Sequence, residues 1–377
     1  MFHLIFATGY LFLLWRWVLP MPCRRHYKWL LALVLLVLSQ ARLIQTLFFG
    51  SMFSAELPRW LVIVLGWSVC TFAFLIITTL LRDIMVLIRK ISGRKTQSSR
   101  LYSQTLYAIT ALLSMGLSTL GVYNAIQVPQ VQTLSIPINQ LSPRLDGLKV
   151  VQLTDLHISS LFPQVWTEQV VERVNALDPD LILITGDFID GTTQDRANDV
   201  RPLSQLRARY GVYGILGNHE YYFNALDWKA HLESLGITML YNQHQTLSIH
   251  DAPLILAGVT DESATRFHLP APDLQAALQG APTDAPIILM KHQPKNAQQS
   301  AQAGVDLQLS GHTHGGMIVG LDQIVKLANQ GLVSGFYLLD TMPLYVSNGT
   351  ALWNGFPVRL GVPPEITEFI LHPRVPN

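Results

Sequence analysis

The hydrophobic positions divide the chain near residue 127. Before this point, four long apolar runs alternate with short polar segments: Phe2–Leu19, Trp29–Phe49, Trp60–Leu81 and Thr105–Ile126. A helix rises 1.5 Å per residue, so each run of about 18–22 residues is long enough to cross a hydrocarbon core of roughly 30 Å. The third and fourth runs contain no charged residue. The pattern predicts an N-terminal all-α transmembrane region over residues 1–126, a bundle of about four helices.

After residue 127, short β-rich apolar runs alternate with amphipathic segments. The prolines of Val128–Arg144 predict a linker that contains a first strand, over residues 127–147. From residue 148 to 377 the alternation predicts an α/β layered domain. Its predicted strands are Leu148–Leu153, Leu181–Thr185, Val212–Leu216, Leu254–Ala257, Ile287–Met290 and Val305–Leu309, and its predicted helices are Val165–Leu177, Ala225–Leu235 and Pro272–Gln279.

Composition supports the membrane assignment and limits the classes of partner that are expected. Hydrophobic residues make up 49% and charged residues 14% of the chain, against about 25% charged residues in a typical soluble domain. This excludes a disordered chain, which needs low hydrophobicity and high net charge. The net charge of +1 gives no field that would attract nucleic acid, so no nucleic-acid partner is expected. Cys23 and Cys70 offer neither a disulfide framework nor a thiolate metal site.

Lysines and arginines in the short loops predict the orientation. The first loop carries Arg24, Arg25 and Lys28, and residues 82–100 of the third carry six basic residues, whereas the second has only Arg59 beside Glu56. The first and third loops are therefore expected in the cytoplasm. The chain is predicted to be a multi-pass membrane protein with an extracytoplasmic catalytic domain, and one span fewer would reverse that side. For Arg42, inside the second run, both pairing within the bundle and a functional intramembrane charge stay open.

Five of the predicted strands are each followed by Asp, Asn or His side chains. Because ligand sites of α/β sheets lie outside the carboxyl ends of their strands, these side chains are expected to meet. They are Asp155 and His157, then Asp187 and Asp190, then Asn218, His219 and Glu220, then His292, and finally His312 and His314.

Oxygen and imidazole ligands without sulfur suit Mn, Fe or Zn, among other transition metals. One zinc ion needs about four ligands. Seven candidates, with one carboxylate able to bridge, suit two divalent transition-metal ions about 3.5–4 Å apart. The seven candidate ligands are Asp155, His157, Asp187, Asn218, His292, His312 and His314.

In its motifs the sequence resembles the calcineurin-like metallophosphoesterase superfamily. The matching elements are Asp155-x-His157, Gly186-Asp187-x-x-Asp190, Gly217-Asn218-His219-Glu220, His292 and Gly311-His312-x-His314, within residues 148–371. Lys291–Pro294, Gly315-Gly316 and Pro357–Ile366 resemble the membrane-attached branch, in which transmembrane segments precede a metallophosphoesterase domain. Two positions depart from that branch: Met317 replaces a common glutamine, and Asn348 stands where an arginine before glycine is usual.

The resemblance implies a β-sandwich flanked by helices and a role for each site residue. Asp187 would bridge the two ions. His219 would donate a hydrogen bond to the phosphoryl group or protonate the leaving group. Asp190 and Glu220 would orient His219 or another ligand, or would be ordinary turn or surface carboxylates. The implied ligands are Asp155, His157 and His314 for the first ion and Asn218, His292 and His312 for the second.

The leading functional hypothesis is a membrane-tethered dimetal phosphoesterase. It would hydrolyse a phosphoester or pyrophosphate bond through a metal-bound hydroxide, on a phosphorylated lipid or lipid-linked substrate in or near the bilayer. Tyr221, Tyr222 and Phe223 would line an apolar groove or cover the core. Two alternatives remain: a UDP-2,3-diacylglucosamine-type pyrophosphatase of lipid A synthesis, and a non-catalytic membrane sensor or scaffold that binds metal. The physiological substrate, the native metals and the oligomeric state stay open.

Overall fold

The computed structural model describes residues 2–93 and 100–374. The chain forms two compact units. Residues 1–124 and Asn354–Val358 make a helical unit, and Ala125–Trp353 with Arg359–Asn377 make a second unit that contains the sheets. Each unit is described by itself.

The helical unit contains two helices that are long and apolar enough to cross a membrane, α4 and the Gln104–Ala125 part of α5. They correspond to the third and fourth predicted spans. Its helices are α1 (Phe2–Leu13), which continues as a π-helical turn (Leu14–Val18), α2 (Arg25–Ser39), α3 (Ala41–Phe49), α4 (Arg59–Ile91) and α5 (Arg100–Ala125).

The first two predicted spans look different in the structure. The first is a shorter apolar helix, His3–Val18, and the second is broken into α2 and α3 by a bend of 54°. Gln40, at the bend, leaves helical geometry with φ −105° and ψ 8°. In the described residues, two helices, or three if the bent pair is one span, could cross a membrane. A bundle of four spans therefore stays a prediction.

Charged side chains inside the helical unit have polar partners. Arg42 is buried and donates to the Gln45 side chain and to the carbonyl oxygen of Gly355. Asp83 pairs with Arg16 at 2.7 Å and with Arg82 at 2.8 Å. Such pairing offsets the cost of placing charge among apolar side chains.

The second unit contains two six-stranded sheets. The first has the order β1-β12-β2-β3-β4-β5 and the second β10-β11-β9-β8-β7-β6. β2 to β5 run parallel, and so do β7, β8, β9 and β11. The strands are β1 (Gln130–Ile138), β2 (Leu148–Leu153), β3 (Leu181–Ile184), β4 (Val212–Gly214), β5 (Thr238–Met239), β6 (Gln243–Ile249), β7 (Ala252–Gly258), β8 (Ile287–Met290), β9 (Leu307–Ser310), β10 (Gly335–Leu339), β11 (Met342–Val346) and β12 (Glu365–Pro373).

One hydrophobic core joins the two sheets. Val150 and Leu183 of the first sheet belong to the same buried cluster as Leu256 and Leu309 of the second. The mixed α/β class predicted from the alternation is therefore confirmed. The helices of this unit are α6 (Gln164–Asn175), α7 (Thr193–Val200), α8 (Asn218–Tyr222), α9 (Ala225–Ser234), α10 (Leu274–Leu278), α11 (Ala297–Gln302) and α12 (Asp322–Ala328).

The predicted linker is more ordered than its prolines indicate. Its strand β1 pairs in parallel with β12 along nine residues, from Gln130 beside Glu365 to Ile138 beside Pro373. The predicted helix Pro272–Gln279 is shorter, because the Asp273 side chain caps its start by accepting from the backbone N–H of Ala276.

The topology brings the carboxyl ends of five strands to one place. The loop after β2 bonds to the loop after β3, since Asp155 N donates to Gly186 O at 3.0 Å and His157 N to Asp187 O at 3.1 Å. In the second sheet, Gly311 N donates to His292 O at 2.9 Å. These loops carry most of the predicted site residues.

Candidate metal centre

Most of the candidate ligands have an unusual backbone conformation. Five of the seven have a positive φ, in the left-handed region that residues with a Cβ rarely adopt: Asp155, His157, Asp187, His312 and His314. Each such residue costs about 1–3 kcal/mol and persists only where its surroundings hold it. The short loops after the strands thereby turn their side chains toward a common point.

The first group of ligand atoms comes from the ends of β2 and β9. His157 Nε2 lies 3.3 Å from His314 Nε2 and 3.9 Å from Asp155 Oδ1. His314 Nε2 lies 3.6 Å from the same Asp155 oxygen. All three side chains are buried.

The second group comes from the ends of β4, β8 and β9. Asn218 Oδ1 lies 3.1 Å from His292 Nε2 and 2.8 Å from His312 Nδ1. The Thr185 carbonyl lies 2.8 Å from the other nitrogen of His292, Nδ1. That bond fixes the ring so that Nε2 points to the group.

Asp187 lies between the two groups. Its Oδ2 is 3.7 Å from His157 Nε2 and 3.3 Å from His292 Nε2. Burial favours the neutral acid, but the positive charge of His292 and its neighbours outweighs it and holds the pKa of Asp187 well below its usual range. The structure thus brings all seven candidate ligands together around one carboxylate.

The donor atoms fit divalent cations. Ligand bonds of about 2.1 Å at tetrahedral or octahedral angles place neighbouring donor atoms about 3.0–3.5 Å apart. Most of the separations in both groups fall in or near this range. Three ligand sets have atoms close enough to share an ion, and all their members are buried except His312, which is half-buried: Asp155, His157 and His314; His157, Asp187 and His219; and Asp187, His292 and His312.

His219 stands beside the ligands and is oriented by Asp190. Its Nδ1 bonds to Asp190 Oδ1, and its Nε2 lies 4.0 Å from Asp187 Oδ2. Burial alone would lower the pKa of His219, but the carboxylates of Asp187 and Asp190 raise that pKa to about 9. The same Asp190 oxygen lies 3.4 Å from His157 Nδ1, so one buried carboxylate contacts both rings.

Glu220 contacts the loop of the candidate ligand Asp187, which is one of the roles that the resemblance implies for it. Its carboxylate accepts four backbone N–H groups: Oε2 from Asp187 at 3.1 Å and Gly217 at 2.7 Å, and Oε1 from Phe188 at 2.7 Å and Ile189 at 3.3 Å. It therefore holds the Asp187 loop against the Gly217 loop. Gly217 permits this close approach, because a Cβ there would lie 2.5 Å from the Asp187 nitrogen.

The aromatic residues after His219 divide between core and site. Tyr221 is buried. The Tyr222 hydroxyl accepts from Asn218 Nδ2 at 3.2 Å, and its ring centroid is 5.2 Å from that of His219. Phe267, which is 40% exposed, lies 6.0 Å from Tyr222 between ring centroids.

Two contributors to the site were missed from the sequence. Phe267 follows no strand and carries no ionisable group, so no signal pointed to it. Arg359 lies in the segment that resembles the membrane-attached branch, yet that resemblance gave it no role. It is fully buried and donates to the carbonyl oxygen of the ligand His314 at 3.4 Å.

Comparison with known proteins identifies the family to which the second unit is similar. Residues 148–316 match the family of calcineurin-like phosphoesterases. A Bos taurus "Transmembrane protein with metallophosphoesterase domain" is 38% identical over 275 residues, covering 70% of this chain and 62% of the relative. Its Danio rerio namesake is 32% identical over 327 residues, covering 83% and 74%. An "Uncharacterized metallophosphoesterase" of Helicobacter pylori is 34% identical over 255 residues, covering 67% of each.

The fold and the clustered ligands define a metal-dependent phosphoesterase domain. The chain belongs to the calcineurin-like phosphoesterase family, which confirms the resemblance drawn from its motifs. It spans less than two thirds of the length of the bovine relative.

Proposed function

We propose that this chain is a membrane-tethered phosphoester hydrolase that works with two divalent cations. The observation that carries the proposal is the position of Asp187, whose Oδ2 lies within 3.7 Å of a ligand atom from each group. A carboxylate between two sets of histidines suits a bridging ligand, and paired ions are a common device for displacement at phosphorus.

Each group would hold one ion. Divalent ions bound there would supply a Lewis acid for the phosphoryl oxygens and lower the pKa of a water molecule. Mn, Fe and Zn suit the ligand set best. The first ion would be held by Asp155, His157 and His314, the second by Asn218, His292 and His312, and both by Asp187.

His219 would act on the substrate itself. Because Asp190 bonds to Nδ1, the Nε2 side of the ring is left to face the ligands. A proton at Nε2 would be donated to a phosphoryl oxygen or to the leaving group. Asp190 would keep the ring in this orientation and stabilise its charged form.

The proposed membrane tether favours one class of substrate. Support comes from the two long apolar helices and from relatives whose names include transmembrane. An enzyme held at a bilayer meets lipid substrates at high local concentration, so a phosphorylated lipid or lipid-linked phosphoester is the proposed class. The basic first and third loops support an extracytoplasmic catalytic domain.

Hydrolysis of bis(p-nitrophenyl) phosphate by the purified full chain with Mn²⁺ tests the activity. His219→Gln is expected to lower kcat about 10²–10⁴-fold, the usual contribution of a general acid. Asp187→Asn is expected to abolish turnover, because the bridging charge is lost. His372→Gln, on an exposed histidine paired with Asp146, is the control and should match the wild type.

Wild-type turnover no faster than that of Asp187→Asn would refute the enzyme assignment. Tight binding of metal without turnover of diester, monoester or pyrophosphate substrates would instead favour the sensor or scaffold.

A further inference from the structure

Arg359 carries a fully buried guanidinium group and lies well after the ligand motifs in the sequence. It donates to the carbonyl oxygens of Asn348 at 2.6 Å and Ala351 at 2.9 Å. At 3.3–3.4 Å it also reaches the carbonyl oxygens of Gly349, His314 and Val362. One side chain therefore ties together three separate pieces of backbone.

The segment Asn348–Ala351 that it holds forms a wall behind the first group of ligands. Thr350 N donates to Thr154 O at 2.8 Å, and Ala351 N donates to Asp155 O at 2.9 Å. The wall packs closely against the ligands, because a Cβ at Gly349 would lie 3.0 Å from Asp155 Cβ and 3.1 Å from His314 Nδ1. Gly349 also has a φ of +84°, which favours glycine.

Two ligands of the first group are thus held from the main-chain side. Asp155 and His314 both have the left-handed backbone that needs support from its surroundings. Arg359 bonds directly to the carbonyl oxygen of His314. It also bonds to the carbonyl oxygen of Ala351, whose own N–H donates to the main chain of Asp155. In the second group, Asn218 and His292 come from other loops, after β4 and β8, and His312 alone shares a loop with a ligand of the first group, His314.

We propose that Arg359 is a positioning residue for the first cation: it holds the wall Asn348–Ala351 and His314 together so that Asp155, His157 and His314 keep ligand geometry. The inference rests on the proposed function, since it presupposes two ions. It also gives the site an arginine that acts from behind the ligands, although Asn348 occupies the position where the related branch usually has one.

Lysine cannot do the same work. A guanidinium presents five N–H groups in a planar fork, whereas an ammonium is a point charge with three donors. Arg359→Lys keeps the positive charge but cannot span five acceptors on three segments. The variant therefore separates the geometric role from the charge.

The experiment measures metal binding in the purified full chain, with activity as a second readout. Each variant is loaded with Mn²⁺, and its ion content is measured by elemental analysis across a range of free Mn²⁺, with electron paramagnetic resonance to detect paired ions. The matched control is Arg196→Lys, on a buried arginine of α7 that bonds to Asp199 and Ser160.

We expect two ions per chain in the wild type and in Arg196→Lys. Arg359→Lys should keep one ion at the wild-type affinity and bind the other about 10–100-fold more weakly, the usual effect of losing support for a ligand. The paired signal should then appear only at high Mn²⁺, where kcat should return toward the wild-type value with KM unchanged.

Two ions of wild-type affinity in Arg359→Lys would overturn the proposal, and so would equal weakening of both. If Arg359→Lys yields no folded protein, Gly349→Ala decides. Its added Cβ displaces the same wall, so two ions of wild-type affinity there would also overturn the proposal. Failure of the proposed function is distinguishable, because the wild type itself would then lack paired ions or turnover.

Discussion

At the scale of single residues, Glu220 shows how a side chain that binds no metal can determine the shape of a metal centre. Four backbone N–H groups converge on its carboxylate, two on each oxygen. Asp187, whose main chain is one of these donors, also accepts from His219 N at 2.8 Å through its side chain. The two ligand loops are therefore bonded to each other in both directions.

Glu220→Gln should destabilise the second unit. An amide keeps one acceptor oxygen but presents its NH₂ to two of the four N–H donors, which are then left buried without a partner. Each such group costs about 1–3 kcal/mol, so the melting temperature should fall by several degrees. Differential scanning fluorimetry of the apo protein in detergent measures the change.

Glu233→Gln is the matched control, on an exposed carboxylate of α9 that pairs with Lys229. It should shift the melting temperature by less than about one degree, since surface pairs contribute little. An equal shift in both variants would contradict the role given to Glu220.

The candidate ligands could be chosen from the sequence, because their residue types and their positions after predicted strands can be read there. Asp155 and His157 follow a strand directly, and so does Asp187. The partner of each carboxylate was not predictable, since Asp190 and Glu220 are each the last residue of a motif whose pattern does not say what that residue contacts. Only the folded loops decide that Glu220 faces main-chain N–H groups and Asp190 faces two imidazole rings.

At the scale of elements, two buried parallel strands were predicted exactly as they lie in the structure, whereas two edge strands were missed. β2 and β8 are predicted to the residue, because they are continuous apolar runs that are largely buried. β6 and β10 are the two edge strands of the second sheet. Their side chains are partly exposed and mixed in polarity, which gives the weak pattern that was missed.

Asp306, just before β9, makes the stability of this sheet depend on pH. Its Oδ2 accepts from Ile287 N at the start of β8 at 2.9 Å, and burial raises its pKa to about 6 from an ordinary 3.8. Between these two values the folded chain binds more protons than the unfolded chain. The contribution of Asp306 to stability is therefore fully present below about pH 4 and is lost as the pH rises through about 6.

Asp306→Asn should abolish this loss, because the amide keeps an acceptor for Ile287 without a charge. The variant should melt at nearly the wild-type temperature at pH 4 and a few degrees above it at pH 7, measured by scanning fluorimetry. Asp178→Asn, on an exposed aspartate, is the control. If the difference in melting temperature between Asp306→Asn and the wild type did not grow with pH, the cost assigned to burying the charged carboxylate would be contradicted.

At the scale of the whole molecule, composition and run length identified the membrane segments only in part. Length and hydropathy were enough for α4 and α5, where no charged residue interrupts the apolar run. They were not enough for α2 and α3, because a sum of hydropathy does not register the bend at Gln40. The side on which the second unit lies depends on how many of these helices cross.

A reporter fused at the C-terminus tests the predicted side. Alkaline phosphatase should be active there and green fluorescent protein dark, because the basic first and third loops hold their ends in the cytoplasm. The internal control is a fusion after Gly93, in the third loop, which should give the opposite pattern. Cytoplasmic readouts at both places would exclude an extracytoplasmic enzyme and favour the UDP-2,3-diacylglucosamine-type pyrophosphatase.

The place of β12 in the first sheet has a consequence for how the protein is made. This strand separates β1 from β2, although it is synthesised about 210 residues after β2 ends. β1 and β2 flank it on opposite edges, so they emerge from the ribosome with no neighbour between them. The sheet cannot close while translation is still in the middle of the domain, and until it closes the nascent chain carries open strand edges that a chaperone would have to shield.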